Sequence, residues 1–179
     1  VGVFDIDRIL HFPDFRSEEK VYQMLHQVAG RAGRRSIKGT VIIQTAQPNH
    51  PVFKYITQEA NADAFYNLQL TDREKYGYPP YTRLIKITFK DKNQEKLAQF
   101  AQHLASIYID YVGKKRIIGP EAPIIEKIQD TFIQELFIKL ERNAWNLKDV
   151  KQYIMEKTSI MMQDKIYQSV QVLYDVDPV

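Results

Sequence analysis

Cysteine is absent from the 179 residues of this chain, so the chain contains neither disulfide bonds nor thiolate ligands for a metal. Histidine is scarce, and its four residues are scattered without the spacing of a metal-binding motif. They are His11, His26, His50 and His103. Long apolar runs are missing too, because none approaches the roughly 20 residues that a membrane-spanning helix requires. The sequence therefore predicts no metal site built from cysteine or histidine and no membrane partner.

A phosphate-binding loop is also missing, since the pattern G-x-x-x-x-G-K-[ST] does not occur. A nucleotide site formed by this chain would be incomplete without that loop and an acidic metal-binding motif. The first residue, Val1, is not a methionine, and the stretch after it has the character of a strand in progress rather than of a secretion signal. We therefore expect the chain to be a fragment of a longer protein.

Charges of the two signs nearly balance, because 25 basic and 22 acidic residues give a formal net charge of +3. That excess is too small to indicate a nucleic-acid partner by itself. A hydrophobic content of 44% and a charged content of 26% are ordinary for a globular protein. The length permits one large domain or two small ones.

An octet rich in arginine and glycine stands out at residues 27–34, which read Q-V-A-G-R-A-G-R. Arg31 and Arg34 each follow a glycine, and their spacing of about one helical turn brings both guanidiniums to one face. Arginine makes forked, permanently charged contacts with phosphate oxygens, and Gly30 and Gly33 let a ligand approach closely. Such a pair could neutralise charge on a transferred phosphoryl group, as an arginine finger does. The alternative is a basic helix end that meets the negative end of the helix dipole.

Apolar stretches at residues 1–6 and 39–45 predict two neighbouring strands, and the first ends at polar residues that would meet a ligand crevice. A helix is predicted between the strands, because Ser17 is a good N-cap and apolar residues follow it at helical spacing. This helix would end at the octet. Residues 52–75 carry few helix breakers and predict two helices with five buried contacts. These contacts are Phe53, Ile56, Phe65, Leu68 and Leu70.

Prolines at 79 and 80 exclude a helix from residues 76–81, Y-G-Y-P-P-Y, and we place a domain boundary there. Beyond it, alternation and helical periodicity predict the order βαββαβ, with two helices on one face of a four-stranded antiparallel sheet. Asn93 and Asn146 precede the two helices. Prolines 120 and 123 confine the regular part of residues 117–128 to its later half.

A basic run, Lys114, Lys115 and Arg116, follows the first helix of this second half. Tyr108 and Tyr111 lie just before the run, and this combination is typical of sites that join phosphate contact to aromatic stacking. The alternative is a solvated basic loop without a ligand.

The octet is similar to motif VI of superfamily 2 helicases, and other stretches narrow the likeness. The whole chain resembles the primosomal protein N′ family of replication-restart DNA helicases. The stretches that carry this resemblance are V-G-V-F-D-I-D at 1–7, P-D-F-R at 13–16, G-T-V-I-I-Q-T at 39–45, Y-G-Y-P-P-Y at 76–81, G-P-E-A-P at 119–123 and D-V-D-P at 175–178.

The resemblance implies an α/β chain in three parts. These are the C-terminal part of a RecA-like helicase lobe 2 with motifs V and VI at residues 1–48, a helical connector at 49–80, and an α+β S10-like (βαββαβ) domain at 81–179. It also implies the roles of the site residues. Arg34 would be the arginine finger, Arg31 its partner at the γ-phosphate, and Gln27 an orienting hydrogen bonder. Gly30 and Gly33 would line the nucleotide.

Asp5 and Asp7 become candidates for motif V, where they would couple nucleotide to DNA. The alternative for these two residues is a polar strand exit. The cofactors implied are ATP and magnesium, held in a site that this chain completes only in part. Zinc belongs to a cysteine-rich insertion of longer relatives, upstream of the part of the family that this chain resembles.

The activity implied for the whole protein is ATP-dependent 3′→5′ unwinding of DNA at stalled or branched forks, followed by primosome assembly, in the bacterial cytoplasm near the nucleoid. Its partners would be branched and single-stranded DNA, single-stranded-DNA-binding protein and other primosome proteins. Relatives often carry several arginines in the hairpin after Gly-Pro, whereas residues 126–133 here have one lysine against two acids. A rival reading is a non-enzymatic S10-like module that binds nucleic acid or protein.

We predict that the isolated chain does not hydrolyse ATP. Arginines stabilise a phosphoryl-transfer transition state only when other motifs already hold the phosphates and magnesium. A phosphate-release assay on highly purified chain, compared with a no-protein control, tests this. Turnover above the control would contradict the expectation that the chain is a fragment.

Overall fold

The computed structural model of the chain describes residues 1–32, 39–57 and 62–178. The chain forms two compact units, Val1–Tyr76 and Gly77–Val179, and each is described by itself. Two residues of the octet, Gly33 and Arg34, lie outside the described residues.

The first unit pairs two short strands in parallel and surrounds them with helices. Gly2 lies opposite Ile42, and Val3 opposite Ile43, which confirms that the two predicted strands are neighbours. Both strands are shorter than predicted, and the first stops because Asp5 takes a left-handed conformation with φ 53°. The elements are β1 Gly2–Val3, α1 Asp7–Leu10, α2 Ser17–Ala32, β2 Ile42–Ile43, α3 Pro51–Thr57 and α4 Ala62–Tyr76.

Helix α2 carries the core of this unit on one face. Val21 and Leu25 are buried, as the helical spacing predicts, and Tyr22 is buried beside them, whereas Met24 and Val28 are only half-buried. The ring of Tyr22 stacks on that of Phe65 from α4, with 4.2 Å between centroids and 16° between planes. Val52 of α3 completes the same cluster. The helix is therefore held by both helices that follow it in the chain.

Helix α4 buries a different face from the one predicted. Phe65 is buried as expected, but Leu68 and Leu70 are 38% and 36% exposed, so their prediction as buried contacts is wrong. Gln69 is buried in their place, because its amide donates to the Glu18 carboxylate of α2 at 2.7 Å. A paired polar group can be buried at little cost, and hydrophobicity alone does not reveal the pairing.

The second unit is a mixed α/β fold built on an antiparallel sheet. Its strands lie in the order β4-β6-β3-β7, and a short additional strand, β5, pairs with β6. The predicted order βαββαβ is present with β5 added. The elements are β3 Thr82–Asp91, α5 Gln94–Val112, β4 Ile117–Glu121, β5 Lys127–Ile128, β6 Thr131–Glu141, α6 Leu147–Met162 and β7 Gln171–Val176.

One face of this sheet packs against both helices in a single hydrophobic cluster. Ile85, Ile87 and Phe89 alternate inward on β3, and Leu136 and Ile138 lie beside them on β6. The helices contribute the apolar residues that the periodicity predicts. These are Leu97, Ala101, Leu104, Ala105, Tyr108 and Val112 on α5, and Val150, Ile154 and Met161 on α6.

The strand after α5 lies earlier than predicted. Its regular part is β4, Ile117–Glu121, which includes Pro120, whereas the later half of residues 117–128 forms only the two-residue β5. The pairing with β6 shifts register between Ile118 and Glu121. Gly119 permits this, because its φ is +88° and an added Cβ would lie 2.6 Å from the Glu135 carbonyl oxygen. The register shift therefore lets β4 include Pro120.

Helix α5 begins with a satisfied cap and a buried carboxylate. The Asn93 side chain accepts a hydrogen bond from the Lys96 amide at 3.0 Å, as an N-cap does. Asp91, only 5% exposed, accepts from Ser169 Oγ at 2.6 Å and from the Asn93 amide at 2.7 Å. Burial by itself would raise the pKa of Asp91, but hydrogen bonds from Ser169, the Asn93 amide and Lys96 outweigh it and lower that pKa. The Asp91 carboxylate thus joins the start of α5 to the segment before β7.

We predict that Leu136→Ala lowers the free energy of unfolding of the chain by about 2–5 kcal/mol, because the side chain is fully buried and its removal leaves a cavity. Leu173→Ala is the matched control on the same sheet. Its side chain is 51% exposed, and the change should stay within about 0.5 kcal/mol. Urea unfolding followed by circular dichroism measures both. Equal losses in the two variants would contradict the assignment of the core to the helix-covered face.

Candidate functional site

The C-terminal end of α2 presents the described part of the octet. Gln27, Gly30 and Arg31 are all exposed there. Because the helix continues to Ala32, Gln27 and Arg31 are separated by one turn and share a face. The structure therefore places three of the predicted residues together on a solvent-facing helix end, as a contact with a ligand or another domain requires. Arg34 and Gly33, outside the described residues, remain predictions.

The opposite end of α2 is anchored by charged contacts with α4. Arg73 Nη2 lies 2.5 Å from Glu19 Oε1, and both side chains are largely buried. The Arg73 guanidinium also lies over the ring of Phe15, 4.9 Å from its centroid. Partly buried pairs of this kind hold a helix more firmly than exposed ones. Arg31 thus extends from a helix whose N-terminal half is fixed.

Asp7, one of the two candidates for motif V, joins the ends of the paired strands. Its carboxylate accepts hydrogen bonds from the Ala46 amide at 2.6 Å and from Thr45 Oγ1 at 2.5 Å. The Ala46 amide and, next, the Thr45 hydroxyl hold the pKa of Asp7 below its ordinary value. Asp5 instead lies exposed in a left-handed conformation. The two carboxylates therefore occupy different environments, and Asp7 already has donors within the unit.

The basic run of the second unit divides into one engaged and two exposed side chains. Lys114–Arg116 forms a 3₁₀ turn after α5. Arg116 Nε donates to Glu141 Oε2 at 2.7 Å, and the guanidinium lies 5.4 Å from the ring centroid of Trp145. The hydrogen bond to Glu141 raises the pKa of Arg116, and the same bond lowers the pKa of Glu141. Both lysines are exposed, so they are the members of the run that are available to phosphate.

The two tyrosines before this run have opposite environments. Tyr108 is buried in the core, and its hydroxyl lies 2.7 Å from Thr158 Oγ1, which removes it from any stacking surface. Burial raises the pKa of Tyr108. Tyr111 is 36% exposed and stacks on Tyr153 of α6 at 3.9 Å between centroids. Trp145 lies 5.8 Å from Tyr111, edge to face. Sequence reasoning missed Tyr153 and Trp145 because only folding brings them to the basic run.

Within residues 1–32, 39–57 and 62–178, no three or more His, Asp or Glu side chains form a cluster suited to a metal ion. In the same part of the chain, no helix has the length and apolar content needed to cross a membrane.

The second unit defines an α+β module, an antiparallel sheet with two helices on one face, and the first presents Gln27, Gly30 and Arg31 on an exposed helix end. Residues 74–179 match the family described as the primosomal protein N C-terminal domain. Because this match covers more than half of the chain, the chain belongs to that family. The resemblance found in the sequence is thereby confirmed.

Three relatives share the name replication restart protein PriA. The chain is 37% identical over 145 residues to that of Bacillus subtilis, covering 80% of the chain and 18% of the relative. It is 34% identical over 141 residues to that of Treponema pallidum, covering 78% and 21%. It is 32% identical over 173 residues to that of Chlamydia pneumoniae, covering 96% and 22%. The chain thus spans only about a fifth of the length of these relatives.

We predict that Thr45→Val raises the pKa of Asp7 toward the ordinary value of 3.8, because valine keeps the shape of the side chain and removes one donor. A carboxylate with a lowered pKa stabilises the fold above its unfolded-state pKa, and this contribution disappears as the pH falls through the folded-state value. Asp7→Asn should therefore destabilise the chain at pH 7 and make progressively less difference in acid.

Carboxyl chemical shifts of Asp7, followed by NMR from pH 7 to pH 2, provide the measurement. Asp14 is the internal control, because Lys20 and the Arg16 amide, not Thr45, lower its pKa. Its pKa should be the same in the unaltered chain and in Thr45→Val. An Asp7 pKa that is the same with and without Thr45 Oγ1 would mean that the Thr45 contact contributes nothing.

Proposed function

We propose that this chain is the C-terminal portion of an ATP-dependent 3′→5′ DNA helicase that acts at stalled or branched replication forks and restarts replication through primosome assembly. The observation that carries the proposal is the octet at residues 27–34 in a chain of this family, with its described members Gln27, Gly30 and Arg31 exposed at the end of α2. The name shared by the relatives, replication restart protein, supports the biological process. ATP and magnesium would be the cofactors, and the bacterial cytoplasm near the nucleoid the location.

In this proposal the chain has three parts. Residues 1–48 end helicase lobe 2, residues 49–80 form the connector, and residues 81–179 form the S10-like domain. Helices α3 and α4 of the connector pack on α2 within the first compact unit. The connector would therefore serve as a structural support for the helix that carries the octet.

The proposed chemistry is electrostatic. Arg34 meets the negative charge that develops on the transferred phosphoryl group, Arg31 contacts the γ-phosphate, and Gln27 orients its neighbours by hydrogen bonding. Gly30 and Gly33 leave room for the nucleotide. Magnesium and the β- and γ-phosphates would be held by motifs on other parts of the complete protein. The exposure of Gln27, Gly30 and Arg31 is consistent with a site completed from outside this chain.

The hydrogen bonds of Asp7 to Thr45 and Ala46 favour a positioning role, since they fix the ends of β1 and β2. Asp5, exposed beside it, is the candidate for coupling between nucleotide and DNA.

A second candidate function is a non-enzymatic module for nucleic acid or protein. It is favoured by the self-contained core of the second unit and by a family match that lies almost wholly within that unit. Branched and single-stranded DNA, single-stranded-DNA-binding protein and primosome proteins would be the partners in either case.

The experiment that separates these functions is Arg34→Ala in the complete protein. We expect DNA-stimulated ATP hydrolysis to fall by about three orders of magnitude, the low end for an arginine finger, because Arg31 compensates in part and conformational steps limit turnover in many motors. Nucleotide binding and the melting temperature should stay close to those of the unaltered protein. Arg34→Lys should rescue poorly, since a point charge does not reproduce the forked contact.

Arg35→Ala is the control, because it removes a neighbouring positive charge outside the motif. Normal hydrolysis by Arg34→Ala, or loss of folding in that variant alone, would support the helix-end alternative and leave the module as the better reading.

A further inference from the structure

Three aromatic side chains from separate elements form a surface cluster on the second unit. Tyr111 lies in the last turns of α5, Trp145 precedes α6, and Tyr153 lies within α6. The rings of Tyr111 and Tyr153 are nearly parallel, with 14° between planes, and Trp145 meets Tyr111 at 64°. We call these three residues the aromatic cluster. Since Tyr111 remains 36% exposed, a further planar ring could extend this stack.

Positive side chains lie over one ring of the aromatic cluster and in the turn that follows another. Lys157 lies over the ring of Tyr153, 5.2 Å from its centroid, and 3.4 Å from Glu156 Oε1. Lys114 and Lys115 follow Tyr111 after Val112 and Gly113, in the 3₁₀ turn that comes after α5. The nearby pair of Arg116 and Glu141 is internally neutral. Among the residues that the structure describes, no carboxylate lies within salt-bridge distance of Lys114 or Lys115. The cluster therefore joins an exposed ring to two free positive charges.

We propose that the aromatic cluster and Lys114 and Lys115 form a binding site for unpaired nucleic acid, in which a base stacks on Tyr111 and the two lysines contact the adjacent phosphates. Stacking platforms beside a basic track are the recurring means by which proteins hold single strands. In a duplex the bases are already stacked, so the ring of Tyr111 would gain nothing from them. A protein partner fits less well, because lysine is depleted in protein interfaces.

This inference rests on the proposed function only for the nature of the partner. It does not depend on Arg34 or on ATP.

Trp145 allows a test on the unaltered chain, because it is the single tryptophan of the sequence. Addition of a short oligo(dT) strand should quench its emission with a saturable dependence on concentration, whereas a duplex of the same length should not. Unchanged emission at a concentration where fluorescence anisotropy shows the strand to be bound would overturn the proposal, since binding would then occur elsewhere.

Tyr111→Ala provides the second test. It should raise the Kd for fluorescein-labelled oligo(dT) roughly 5- to 150-fold, which corresponds to about 1–3 kcal/mol of base stacking. Tyr111→Phe keeps the ring and should bind within about twofold of the unaltered chain, which separates stacking from folding defects. Tyr81→Ala, at a tyrosine that is 39% exposed outside the cluster, is the matched control and should bind normally.

The two lysines should affect the salt dependence of binding, which Tyr111 should not. The double variant Lys114→Ala/Lys115→Ala should lower the slope of log affinity against log salt by about 1.4, since each phosphate contact on a single strand contributes roughly 0.7. Tyr111→Ala should leave that slope unchanged. Lys92→Ala, at another exposed lysine of the same unit, should alter the slope less than the double variant does.

The proposal fails if Tyr111→Ala binds oligo(dT) as tightly as Tyr111→Phe, or if Tyr81→Ala weakens binding equally. These assays contain no ATP, so their failure would leave the proposed helicase role untouched. Conversely, normal ATP hydrolysis by Arg34→Ala would leave the site on the second unit standing.

Discussion

The antiparallel pairing of β3 with β6 is the constraint on which the second unit depends. The ladder runs without interruption from Thr82 opposite Glu141 to Asp91 opposite Phe132. Because successive side chains of a strand point to opposite faces, this register fixes all the inward residues of the two central strands at once. A shift of β6 by one residue would turn Leu136 and Ile138 out of the core while Ile87 of β3 still pointed inward. The two helices pack against this pair and β5 extends it, so the positions of the helices and of the aromatic cluster depend on it.

In the first unit, the corresponding constraint is the packing of α2 against α4. Tyr22 stacks on Phe65, and Gln69 and Arg73 bind the carboxylates of Glu18 and Glu19. Apolar and polar contacts therefore hold the same half of the helix against α4. The other half is left to present Gln27 and Arg31 to solvent. This division suits a motif whose ligand is bound mainly by other parts of a protein.

The second unit was more predictable than the first, for reasons visible in particular residues. On β3 and α5 one face is buried and the other faces solvent or a weaker contact, so alternation and helical spacing identify the inward residues directly. In α4 the same reasoning predicted Leu68 and Leu70 as buried, but hydrogen bonding to Glu18 made Gln69 the buried residue. A hydrophobic pattern contains no information about a hydrogen-bond partner that lies 51 residues away in the chain.

The sequence also predicted the two candidate sites to different extents. The octet is contiguous, so its residue types and spacing are read directly from the sequence. The basic run is contiguous as well, yet the sequence ranked its members equally and placed Tyr108 beside Tyr111. The two tyrosines are three residues apart in α5, which leaves them about 60° apart around the helix axis. Tyr108 therefore meets Thr158 in the core, while Tyr111 lies at the margin and is partly exposed.

The sequence by itself determined the family, the order of strands and helices in residues 82–176 apart from β5, and the residues and spacing of the octet, because each of these is carried by local spacing. Only the tertiary structure decided which positive charges remain free and which rings form a surface. Arg116 is not free because its guanidinium binds Glu141 of β6 and lies over Trp145 of the loop that follows. Tyr153 joins Tyr111 because α5 and α6 pack on the same face of one sheet. Contacts between distant segments depend on packing and pairing, and no local pattern encodes them.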